Sequence, residues 1–188
     1  LGVAIQSIEK RAHLYRSYQS IELSGRGSSR GRRAGKGSTS GKSWKSLANL
    51  PPLPNNIRWV ALEDMNWEDL PSDLPFEKPE KQKIKVMMKV FQSEVVPILK
   101  SRKTIDHDCL VRLDRAAGIS PTAAHGNPQS LAFAWRCLVT GDDTIVLDAP
   151  NQYTGDRYSW TSGRHRSIIA RELGWTHLPA RVLGDQEE

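Results

Sequence analysis

Cysteine is scarce in this chain: Cys109 and Cys137 are the only two in 188 residues. They stand in helix-like segments without C-x-x-C or His/Cys spacing, which argues against a disulfide framework and a zinc site and reads both as buried thiols. Long apolar runs are missing too. None approaches the roughly 18 residues that a membrane span needs, and the N-terminal stretch lacks the apolar block of an export signal. The first residue is leucine, so position 1 reads as the start of a fragment or of a processed product. Acidic residues are absent from the whole of residues 24–47, "SGRGSSRGRRAGKGSTSGKSWKSL", where seven arginines and lysines stand unopposed. Since the chain carries +6 overall, the remainder is left at −1, and the basicity belongs to one segment. That segment is too rich in Gly, Ser and charge to offset the entropy of ordering, which predicts a flexible linker. It would hold polyanions non-specifically and with strong salt dependence; a solvated spacer is the other reading.

Hydrophobic residues make up 38% of the chain, enough for one core of ordinary size with an appendage. Residues 1–23 space Val3, Ile5, Ile8, Ala12, Leu14, Tyr15, Tyr18 and Ile21 as one amphipathic helix, read as the tail of an upstream region or as a helix docking on the main domain. Residues 24–56 form the linker, closing in a proline-rich hinge, "LANLPPLPNN". The folded domain is expected over 57–184, starting with the strand "IRWVALEDM".

A long helix follows, with Ile84, Met87, Met88, Phe91 and Val95 on one face and Pro97 kinking or ending it. A shorter helix is capped by Asp106 or Asp108 and stopped by Gly118; the next is capped by Asn127 with Pro128 in its first position and ends at Gly141. "TIVLDAP", "RYSWTSG" and "HLPARVL" read as strands, with a helix from Arg164 to Leu173 stopped by Gly174. The order strand, helices, strands, helix, strand predicts an α+β domain with a small mixed β-sheet and several helices.

The densest chemistry lies in "YSWTSGRHRSIIARELGWTHLPARVLG", residues 158–184. A strand that runs through Ser162 and Gly163 into a helix exposes unpaired N–H groups where the helix dipole also favours an anion. Glycine there allows close approach of a phosphate. Arg164 and Arg166 add guanidinium forks, and His165 adds a donor able to exchange a proton near neutral pH. Two cations at a helix start are unfavourable without an anion, which points to a ligand; the alternative has both arginines facing solvent or pairing with Asp142, Asp143, Asp148 or Asp156. Tyr158 and Trp160 flank the turn at strand spacing, where they either stack on a base or serve as structural residues. Trp59, Trp135 and Trp175 fall in apolar patterns and read as core.

Within this stretch, "SGRHRSIIARELGWTHLPARVL", residues 162–183, resembles the second conserved box of the ParB/sulfiredoxin superfamily: a Gly-x-[Arg/His]-Arg turn opening a helix, then a Leu-Gly spacer and an "xxPAxV" strand. The strand at 57 and the long helix after it suit the usual order of that fold. The resemblance implies that Gly163, Arg164, His165 and Arg166 line a phosphate pocket for nucleotide or nucleic acid, with the sheet carrying the base. Sulfiredoxins place a catalytic cysteine where this chain has Arg164, and partition proteins place there a glutamate that helps hold magnesium. Sulfinic acid reduction is therefore not expected, and with Gly184 followed by only four residues neither is an operator-reading helix-turn-helix. Stand-alone ParB-like domains, described as nucleases and found as C-terminal modules of bacterial secreted toxins, are what the resemblance leaves.

Phosphoester hydrolysis would use Arg164 and Arg166 to neutralise phosphoryl oxygens, His165 as acid or base, and Asp156 to place a water or a magnesium ion. Asp142, Asp143 and Asp148 are weaker carboxylates, read as turn or strand-end residues. His125 is a second histidine on a loop, His177 reads as structural, and the "DHD" at 106–108 reads as capping. No metal-ligand set is identified, and magnesium is the one cofactor the chemistry would call on. The expected partners are nucleic acid or nucleotide and, for a toxin delivered by a specialised secretion system to act in a cytoplasm, an immunity protein. The reading from another class is a non-catalytic nucleotide- or DNA-binding regulatory module.

Overall fold

In the computed structural model the chain is described over residues 50–184, apart from 55, 71–75, 102–104, 121–125 and 142. The expected N-terminal helix, most of the linker, Asp142 and His125 lie outside the described residues.

Four strands form one mixed sheet in the order β1-β4-β2-β3: β1 is Ile57–Ala61, β2 Val146–Asp148, β3 Ser159–Ser162 and β4 His177–Leu183. The α+β expectation with a small mixed sheet holds. β4 runs antiparallel to β1, pairing Val60 with Leu178, and parallel to β2, pairing Leu147 with Val182. β2 and β3 are antiparallel, with Leu147 opposite Trp160. Val60, Leu178, Leu147 and Trp160 are buried and Val182 packs partly buried against them, which gives the sheet its place in the core. Contact with the domain begins ahead of β1: Trp59 Nε1 donates to the Pro51 carbonyl at 2.8 Å, and Leu53 packs on the core.

The long helix forms as its apolar spacing predicts. α1, Lys78–Val90, passes through a π turn, Phe91–Val95, into α2, Val96–Ser101. Met87, Met88, Phe91 and Val95 are buried. Pro97 does not stop it: the Val96 N–H reaches back to the Phe91 carbonyl, so the hydrogen-bond ladder has already slipped register where the residue without an N–H enters.

α3, His107–Ala116, is capped by Asp106, whose carboxylate accepts from the Cys109 N–H at 2.6 Å, and ends beside Gly118 at φ 80°. The following helix starts later than its sequence suggests. α4, Leu131–Trp135, is capped by Ser130, whose Oγ accepts from the Phe133 N–H at 3.0 Å, and it continues as a π turn over Arg136–Thr140. Asn127 caps nothing helical, because its Oδ1 is taken by the Gln129 N–H in a local turn. The start of α4 is held instead from α3. The buried Asp114 carboxylate accepts from Ser130 Oγ at 2.6 Å, from the Leu131 N–H at 3.0 Å and from the Ala132 N–H at 3.1 Å. A carboxylate on the first-turn amides of a helix is favoured by charge as well as by hydrogen bonding.

α5, Arg164–Glu172, follows β3 directly and ends before Gly174 at φ 72°. Ile169 and Ala170 bury its inner face, and Lys81 and Lys85 of α1 meet Glu172 at its last turn.

Candidate functional site: the start of α5

The chain turns from β3 into α5 through Gly163 at φ 87°. A Cβ there would lie 2.7 Å from Ile145 Cγ1, 2.9 Å from Cγ2 and 3.0 Å from Cα, so both conformation and space demand glycine. The first intrahelical bond is Ser167 N–H to the Gly163 carbonyl, 3.0 Å. The amides of Arg164, His165 and Arg166 precede it and carry the positive end of the helix, with no acidic side chain in the first turn. Ser167 locks this turn from inside. It is fully buried, accepts from Trp160 Nε1 at 3.0 Å and lies 3.3 Å from the Gly163 carbonyl.

The three side chains after Gly163 take different paths. Arg164 is exposed, and no described carboxylate pairs with it. His165 is half-buried and lies flat on Phe76, ring centroids 4.3 Å apart and planes 11° from parallel. Its Nε2 is covered and has no hydrogen-bond partner. Arg166 turns inward, and one guanidinium nitrogen donates to the Cys137 carbonyl at 2.5 Å. That carbonyl belongs to the final π turn of the α4 helix, which closes through the Gly141 N–H on the Arg136 carbonyl. Arg166 thus caps the negative end of another helix.

Burial lowers the Arg166 pKa from its ordinary value, while Cys137 and Asp143 oppose that shift. Burial raises the Cys137 thiol, with Arg166 pulling the other way. Beside them a cleft of about 270 Å³ opens between α1, α4 and α5, lined by Lys83, Ile84, Met87, Phe133, Asp143 and Arg166 among others. Lys83 and Arg136 both approach the Phe133 ring, at 5.6 and 5.9 Å.

The residues singled out from the sequence are only partly brought together. Ser162, Gly163 and Arg164 share the turn, with the Ser162 hydroxyl 3.3 Å from the Thr144 carbonyl. Trp160 is corrected: it is 5% exposed, packed edge-on against Trp67 at 5.2 Å, and has no free face for a base. Its strand alternation pointed it into the core, opposite Leu147. Tyr158 is half-buried and held by Arg58, which donates to its hydroxyl at 2.9 Å, and by backbone bonds to Asp64 and Asn66. Asp156 is exposed in the turn that precedes β3, whereas His165 follows β3.

Asp148 accepts from Thr161 across the β2–β3 pair, as a strand-end residue would. His177 is buried, Cys137 is buried and Cys109 half-buried. Trp135 and Trp175 are core, and Trp59 packs against it. Among the described residues no three His, Cys, Asp or Glu side chains converge as metal ligands, and no helix is long and apolar enough to cross a membrane. Phe76 is the neighbour that sequence reasoning missed. It sits in a turn-rich segment before α1, and no spacing links it to a histidine at the start of α5. No protein-family model, no curated protein and no solved structure matches this chain.

Proposed function

We propose that this is a phosphate-binding domain of the ParB/sulfiredoxin type, which engages nucleic acid or nucleotide at the start of α5. One observation carries the reading: the Gly163 turn presents the helix's first amides next to the exposed Arg164, with no acid in the first turn to neutralise them. Arg166 ties the start of α5 to the end of α4 and lines the cleft beside it, and Ser162 leads into the turn.

Phosphoester hydrolysis at this site would draw on His165 for proton transfer, with Arg164 stabilising phosphoryl charge. A binding module without chemistry is favoured by a different observation, that His165 Nε2 is covered and Asp156 stands beyond the far end of β3. The two readings separate on the full chain, incubated with plasmid DNA, RNA and nucleoside triphosphates in the presence of magnesium. A hydrolase loses turnover in His165→Ala while affinity stays within a few-fold. A binder shows no turnover, and loses affinity in Arg164→Ala; retention of full affinity by Arg164→Ala refutes the site itself.

The acid-free segment 24–47 ahead of a compact domain supports the further reading of a delivered effector acting in a cytoplasm and countered by an immunity protein. Growth arrest on induction in bacterial cells, relieved by a neighbouring gene product, is the result that reading requires.

A further inference from the structure

We propose that Phe76 occupies the stacking position of the ligand's own ring: the face of His165 is a platform for a planar base, and Phe76 competes for it from within the chain. This rests on the phosphate reading above and names its ligand class, a planar heterocycle carrying phosphate.

Three observations meet here. Phe76 and His165 are near-parallel at 4.3 Å and 11°, the geometry of a stacked pair rather than of the tilted contacts that dominate the core, such as Trp59 with Phe91 at 52°. His165 follows Arg164 directly, so a phosphate on the first amides of α5 puts an attached ring within reach of that face. The covered Nε2 of His165 has no hydrogen-bond partner, which leaves the stacked state with an unmet polar group. A ring that carries phosphate is also held at the first amides of α5, so exchanging one ring for the other keeps the stacking and adds the phosphate contact. Phe76 lies just before α1, with Glu77 in extended backbone between them, so withdrawal of the ring gives up its contact with Lys81, 5.7 Å from the ring, and its packing on the core without unwinding the helix.

The state seen here is the self-occupied one. Ligand affinity is reduced by the fraction of molecules in which Phe76 holds the platform. Removing the ring should therefore tighten binding of a ring-bearing ligand by about two- to tenfold, the range spanned by one aromatic stack.

The test uses the full chain as wild type, Phe76→Ala, Phe76→Leu and Arg164→Ala. Affinities are measured calorimetrically for inorganic triphosphate and for each of the four common ribonucleoside triphosphates. The accessibility of His165 is read separately, by carbethoxylation followed by peptide mass mapping. Both Phe76 variants are expected to bind at least one nucleotide more tightly than wild type, with inorganic triphosphate changed less than twofold. His165 becomes several-fold more reactive in them, and bound nucleotide protects it. Phe76→Leu retains apolar bulk and guards against a misfolded Phe76→Ala.

Nucleotide affinity that is unchanged, weakened or absent in both Phe76 variants overturns the inference, as does a His165 that stays unreactive in both. If inorganic triphosphate binds wild type and fails on Arg164→Ala in that event, the phosphate reading survives and only the platform falls. If triphosphate ignores the Arg164 substitution, the phosphate reading itself falls.

Discussion

Gly163→Ala is the substitution on which the geometry of the site bears most directly. The added methyl meets Ile145 at 2.7 and 2.9 Å on the side chain and 3.0 Å at Cα. Ile145 is fully buried, so the neighbour cannot swing away into solvent. Two costs combine. A left-handed backbone costs a non-glycine residue about 1–2 kcal/mol, and inserting a methyl into a packed core adds about 1–3 kcal/mol. A sum near 3 kcal/mol is a large share of the roughly 5–15 kcal/mol that holds an ordinary domain together, and lowers the melting temperature by roughly 6–12 °C for a chain of this size. Gly155→Ala is the matched control, since Gly155 also has positive φ, 62°, but has nothing within 4 Å of its Cβ position. It should lose only the backbone cost. Urea and thermal unfolding of both variants, followed by circular dichroism, isolate the packing contribution as their difference. Equal losses in the two would show that α5 does not start hard against Ile145 and would refute the packing contribution.

Asp114→Ala strips the Ser130 hydroxyl and the Leu131 and Ala132 amides of their acceptor, and should cost about 3–5 kcal/mol by urea unfolding; a loss under 1 kcal/mol would show that the carboxylate does not hold α4. The two arginines of the turn should part company. Arg166→Ala is expected to lower stability by about 1–2 kcal/mol through the freed Cys137 carbonyl, while Arg164→Ala stays within about 0.5 kcal/mol of wild type and loses phosphate affinity. Cys137 sets an alkaline limit. Its thiol is raised by burial, so the unfolded chain releases that proton first; the contribution is complete below the unfolded pKa and declines as pH rises through the folded value. Stability should fall above about pH 8.5 and fall less steeply in Cys137→Ala, and a thiol reagent should label half-buried Cys109 before Cys137.

Local signals were the legible ones. Asp106 as a cap, Gly118 and Gly174 as stops, the apolar face of α1 and the run 177–183 are each written in a few adjacent residues, and each stands where that spacing puts it. The Gly163 turn was legible for the same reason. What the sequence hid depends on partners from elsewhere. Arg166 looks like a free cation until the end of α4 comes to meet it, and His165 looks like a free imidazole until Phe76 covers it. Asn127 has the right chemistry for a cap, but Asp114 and Ser130 settle where α4 begins. Trp160 stands next to the turn in sequence yet points into the core, because a strand alternates its side chains between its two faces.

The order β1-β4-β2-β3 has a consequence in time as well as in space. β4, made last of the four, lies between β1, made first, and the β2–β3 pair. During vectorial synthesis β1 leaves the ribosome with no strand to pair with, and its helices must collapse around a sheet that lacks its middle. Pairing across so long a stretch of chain is entropically slow. The two halves of the sheet can join only when His177–Leu183 is free to slide between them, so the Gly163 turn, two elements upstream, is built before it is anchored. A nascent chain stalled before β4 should be held by chaperones and cut readily by protease, and should become resistant within a few residues of Leu183 clearing the exit tunnel.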